Sequence, residues 1–168
     1  MILDRVVYVD MDGVVADFGG ALLERFGITF DTAPKGKVWG KIMRYNDNVE
    51  DWFYSLPLMS DAEALWAFVT EHFEQVEILT ASGTSPRDAP GQKRAWVGEK
   101  FGYDVKVNVV GSASEKAAFV LGHAVPPILI DDRNHSIGPF VKAGGIGILH
   151  TSAVETINTL EAMMKGWE

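Results

Sequence analysis

Five short apolar runs, each followed by a stretch with helical spacing, limit what this chain can become. They are Val6-Val7-Tyr8-Val9, Val76 to Ala81, Lys106 to Val110, Ile128-Leu129-Ile130 and Ile146 to Leu149. Helical spacing is legible in Phe18 to Gly27, Asp61 to Val69, Gln92 to Phe101, Ser114 to Leu121 and Ala153 to Lys165. Strands that alternate with helices predict an α/β fold with a doubly wound, parallel, five-stranded, Rossmann-like sheet. Right-handed crossovers then bring the strand C-termini to one rim. Residues 28–59 lose clear periodicity. They hold Pro34, Gly36, Gly40 and Pro57, yet also Trp39, Trp52, Phe53 and Tyr54, which is too aromatic for a linker. Short helices are expected there at Val38 to Arg44 and Val49 to Ser55. The expected division is a core of residues 1–16 and 59–168 with a small helical cap, 17–58, inserted after the first strand.

The first apolar run ends in Asp10-Met11-Asp12-Gly13. That is the end of a strand where open α/β sheets place their chemistry. Strand geometry predicts both carboxylates on one face, and two such charges repel unless a cation or a shared proton relieves them. Mg2+ is the natural relief, because it prefers hard oxygen ligands. Asp10 can then act as ligand and nucleophile while Asp12 gives and takes protons. Gly13 permits a tight turn and frees amides for a phosphate. Thr80 closes the second run with a hydroxyl suited to a phosphate oxygen, or to its own turn. Asp131-Asp132 closes the fourth run and sends more carboxylates to the same rim.

Composition narrows the function. The chain has 168 residues, 47% of them hydrophobic and 23% charged, enough for one α/β core with an insertion. Without cysteine there is no disulfide framework, thiolate metal site or cysteine nucleophile. A net charge of −8 opposes extended nucleic acid as a partner, yet allows a small anion held by a metal and lysines. No apolar run approaches the roughly 20 residues of a membrane span, and the chain enters a strand directly, so a cytoplasmic protein is expected. His72, His123, His135 and His150 lack metal-ligand spacing, and neither a dinucleotide nor a Gly-Lys-Ser/Thr phosphate loop is present.

The order Asp10-x-Asp12-Gly13, Thr80, a lysine, Asp131-Asp132 resembles the haloacid dehalogenase-like phosphohydrolases. The resemblance implies Mg2+ bound by Asp10, Asp12 and Asp131, with Asp132 and Arg133 acting behind them. It implies a phosphate site of Gly13, Thr80, Ala81 and Ser82 with a lysine. Lys116 fits the family order best, although its distance in sequence from Asp131 is long, and Lys93 is the rival or a second contact. Asp12 favours phosphoryl transfer, since dehalogenating members lack that acid. Asp-Met-Asp-Gly-Val at Asp10, Trp52-Phe53, Lys93-x-x-Trp96-Val97 and Leu129-Ile-Asp-Asp-Arg133 are also similar to the 5'(3')-deoxyribonucleotidases. Ala81-Ser82 departs from the Ser-Pro of some relatives, leaving Ser82 or backbone amides to take over that contact.

The expected substrate is therefore a small nucleotide, with Phe18, Trp39, Trp52 and Phe53 over its base. Those rings could equally form the core of the cap, most clearly Trp39. A sugar-phosphate phosphatase and a non-catalytic phosphate-binding or signalling module are the alternatives. A homodimer is left open.

Overall fold

The computed structural model describes residues 2–83 and 86–167. Its elements run β1 (Leu3–Val9), α1 (Phe18–Phe26), α2 (Lys35–Asn48), α3 (Ala62–His72), β2 (Phe73–Ala81), α4 (Ala89–Phe101) and β3 (Val107–Val110). A 3-10 helix (Ala113–Val120), β4 (Ile128–Asp131), α5 (Asn134–Lys142), β5 (Ile146–Leu149) and α6 (Ala153–Met164) complete the chain. The strands form one five-stranded sheet in the order β3-β2-β1-β4-β5, with every pairing parallel. β1 lies at the centre, so the acids that follow it emerge at the middle of the rim. Among the described residues no helix is long and apolar enough to cross a membrane.

Alternation along the strands sorts the core into two layers. Val7, Val9, Ile78, Ile128 and Ile130 face α3, α4, α6 and the insertion, in one cluster with Leu65, Trp96 and Leu160. Val6, Tyr8, Leu79 and Leu129 face the opposite way, onto Val120 of the 3-10 helix and Phe140 of α5. The aromatic insertion shares the first layer, since Trp52, Phe53 and Leu56 are buried in that same cluster. Where the chain leaves and re-enters the sheet, Ala16 bridges Leu58 antiparallel. The Asp17 amide donates to the Pro57 carbonyl and the Met59 amide to the Val15 carbonyl, each at 2.8 Å.

Several local expectations change. The helix expected from Val38 to Arg44 runs from Lys35 to Asn48. Val49 to Ser55 is a succession of turns and not a helix, because the Asn46 side chain accepts from the Trp52 amide at 3.0 Å and bends the chain back. The segment near Ser114 is 3-10, and its start is fixed by a capping box between Ser112 and Glu115. Gly27 ends α1 with φ +63°, as its C-terminal position predicts.

Candidate active site

Strand parity decides which side chains meet. Asp10 and Asp131 continue the face of Tyr8 and Leu129, the face covered by the 3-10 helix. Lys116 on that helix reaches both, with Nζ 2.8 Å from Asp10 Oδ1 and 2.6 Å from Asp131 Oδ2. Thr80 continues the opposite face, that of Ile78, where α4 lies. Lys93 of α4 donates there to Thr80 Oγ1 at 2.9 Å, to the Ala81 carbonyl at 3.0 Å and to Asp12 Oδ2 at 2.6 Å. Its ammonium also lies 4.4 Å from the centre of the Phe53 ring.

The two acids of the first motif are thus held by lysines from opposite faces of the sheet, which corrects the expectation of one shared face. The cause is the turn that follows Asp10. The Met11 carbonyl accepts from the amides of Val14, Val15 and Ala16, so the backbone is no longer a strand when it reaches Asp12. Gly13 makes this turn at φ +83°, where a Cβ would fall 2.3 Å from Asp132 Oδ2.

Burial and the nearby Asp10 charge push the Asp12 carboxyl above the ordinary range, against the pull of Lys93. Burial and Asp10 likewise raise Asp131. Burial acts to lower Lys116, but Asp10 and Asp131 outweigh it and hold its ammonium above the usual value. Desolvation, Asp10 and Asp131 push Asp132 up to about 7.

The carboxylates whose oxygens converge are Asp10, Asp131 and Asp132, all within 4.8 Å of one another. The side chain of Asp12, expected as a metal ligand, is turned to Lys93 instead, and Asp132 takes its place in the cluster. Three hard oxygen donors, two of them with proton affinity raised by the charge of Asp10, fit Mg2+.

A cavity of about 490 Å³ opens beside Asp10 and Asp12. Of the remaining expected residues Phe18, Trp39, Phe53, Ala81, Ser82, Lys116 and Arg133 line it. Gly13, Thr80 and Lys93 do not: Thr80 and Lys93 are fully buried against each other, and Lys93 holds Asp12 from behind the cavity wall. The amides of Ser82 and Gly83 donate to the carbonyls of Val110 and Gly111, at 3.0 and 3.1 Å, and so are not free to cradle an anion. Trp52 is corrected too. It is fully buried, stacked on Phe26 at 5.6 Å and edge-on to Tyr45, where the bond from its amide to the Asn46 side chain of α2 holds it inward. Arg133 sends its amide to Asp131 Oδ1 at 2.9 Å while its side chain reaches the cavity.

Sequence reasoning missed Phe30, Lys35, Ser112 and His135 in the lining. The Ser112-x-x-Glu115 capping pattern was a legible signal for the loop before Lys116. Nothing local marked Phe30 or Lys35, which the fold of the insertion brings in.

No family model and no curated protein matches the sequence. Solved structures do. A hydrolase from Streptococcus pneumoniae superposes with a TM-score of 0.59 at 14% identity, over 94% of this chain and 98% of that one. A haloacid dehalogenase-like family hydrolase from the same organism gives 0.50 at 11% identity, over 86% and 83%. The L-2-haloacid dehalogenase of Xanthobacter autotrophicus, with chloropropionic acid covalently bound, gives 0.50 at 12%, over 86% and 76%. The chain therefore has the α/β fold of the haloacid dehalogenase-like hydrolases.

Proposed function

We propose that this protein is a Mg2+-dependent phosphomonoesterase for nucleoside monophosphates, with deoxyribonucleoside 5'- or 3'-monophosphates as the substrate class. The observation that carries the reading is the separation of two acids on one cavity wall. Asp10 is held by Lys116, and Asp12 by Lys93, each in its own environment. Asp10 attacks phosphorus as the ester P–O bond breaks, and Asp12, whose carboxyl is raised by burial, gives its proton to the departing nucleoside oxygen. Water then attacks phosphorus in the aspartyl phosphate, Asp12 takes the water proton, and inorganic phosphate leaves. Lys116 and the Ser82 hydroxyl hold the phosphoryl oxygens. Asp10, Asp131 and Asp132 would hold Mg2+, which would supply further neutralisation of the charge on those oxygens. A leaving halide needs no proton, so the presence of Asp12 argues for phosphate esters over carbon–halogen bonds.

The nucleoside is supported by the rings along the cavity. Phe18 stacks on Phe30 at 6.0 Å with an interplanar angle of 10°, and Trp39 and Phe53 lie beside them. A base stacked on such rings gains about 1 to 3 kcal/mol. The test is phosphate release with Mg2+ or a chelator, across deoxy- and ribonucleotides and sugar phosphates. Metal-dependent preference for deoxynucleotides is expected. Activity confined to sugar phosphates would overturn the nucleotide assignment. Asp10→Asn should abolish release while leaving the circular dichroism spectrum unchanged, and appreciable turnover in that variant would refute the nucleophile.

A further inference from the structure

We propose that the cavity takes a substrate with a second anionic group besides the phosphate that reacts, and that Lys35 selects for it. This rests on the phosphomonoesterase reading and defines its substrate class more closely. The ionisable residues of the cavity wall fall into two sets. Asp10, Asp12 and Lys116 belong to the reacting centre and are tied up in ion pairs. The others, Lys35, Arg133 and His135, are all bases. In a chain with 23 acidic residues against 15 Lys and Arg, a lining drawn at random would be acidic. Lys35 comes from the insertion, Arg133 from the turn after β4 and His135 from the first turn of α5, so bases reach the cavity from the insertion and from the core.

Arg133 already acts on a partner, because its charge lowers the proton affinity of Asp132. Lys35 is different: its side chain is exposed and, among the described residues, makes neither a hydrogen bond nor an ion pair. Nor does it serve its own helix. It is the first residue of α2, which has no side-chain cap and no acid in its first turn. The positive end of the helix dipole disfavours a cation there. Water can solvate an exposed lysine, and what points to a ligand is the place of Lys35 on the cavity wall beside Phe30 and Trp39. At about 490 Å³ the space is that of a small-molecule site and extends well past one phosphate. Its aromatic lining beside a free ammonium suits a nucleoside with a second phosphate, and the same ammonium would hold a carboxylate on a smaller phosphoester.

The test is equilibrium binding by calorimetry to protein carrying Asp10→Asn, so that nothing turns over. A nucleoside 3',5'-bisphosphate is compared with its 5'-monophosphate, and phosphoglycerate with glycerol phosphate. In at least one pair the doubly anionic compound should bind about tenfold tighter, and adding Lys35→Gln should bring that ratio close to one. The pair that responds shows whether phosphate or carboxylate is the second group. Ratios near one in both pairs, or a preference that survives Lys35→Gln, would overturn the proposal. Because Lys35 is exposed and in no ion pair among the described residues, the variant should melt with its parent. Absence of phosphate release from the unmodified protein would count against the phosphomonoesterase reading alone, since the binding ratios report on Lys35 without turnover.

Discussion

Lys93 directs its ammonium to Asp12, to Thr80 and to the Ala81 carbonyl, with no part of it exposed. Its chain position made it a rival of Lys116 for one role, but the two have separate roles because they approach the rim from opposite faces. Sequence spacing cannot show this. It gives the parity of Thr80 with Ile78 and of Asp131 with Leu129, but not which helix covers which face. Lys93→Met should leave the Asp12 carboxyl without its counter-charge. Removing one partner of a fully buried pair costs about 3–5 kcal/mol. A quarter of the Asp12 side chain is exposed, so water takes up part of the loss, and about 2 kcal/mol is expected. Urea denaturation at neutral pH measures it. A variant as stable as the parent would show that the pair contributes nothing net.

At the scale of elements, α4 does more than cover the sheet. Gln92 accepts from the Phe53 amide at 2.9 Å and donates to Asn46 Oδ1 at 2.9 Å, while Trp96 Nε1 donates to the Leu56 carbonyl at 2.7 Å. These bonds fix the insertion against the core, and they explain why the expected helix at Val49 to Ser55 gives way to turns. The sequence showed no clear periodicity in this segment, and it could not show the long-range partners that bend it. Another long-range set joins β2 to the edge strand β3. Glu77, on β2, is buried, which would raise its carboxyl, but bonds from Asn108, Gln75 and Lys106 outweigh this and hold it below 4.5. A carboxyl lowered on folding stabilises the fold above its unfolded pKa, and that contribution fades as pH falls through the folded value. Glu77→Gln should therefore be less stable than the parent at pH 7. The gap should close as pH drops below about 4.5, and a gap constant with pH would show that the loss is one of packing.

For the whole molecule, the carboxylates of Asp10, Asp131 and Asp132 crowd together at the rim, a repulsion that a divalent cation would relieve. On the proposed reading Mg2+ binds the folded state, and it should then stabilise the protein in a concentration-dependent way, by about 2.7 kcal/mol at a hundredfold excess over its Kd, read as a rise in melting temperature. Asp131→Asn should remove most of that rise, and an equal rise in that variant would place the ion elsewhere. The alternation of apolar runs and helices determined the parallel α/β sheet by itself, because each short strand needs both faces covered and each crossover needs a helix. Acids at the ends of the first and fourth runs likewise had to reach one rim. Tertiary structure alone decided that Asp12 turns to Lys93, that Asp132 joins Asp10 and Asp131, that Trp52 goes inward and that Lys35 comes to the cavity. Each of these depends on which surface a helix or turn packs against, and that is settled by contacts between residues far apart in the chain.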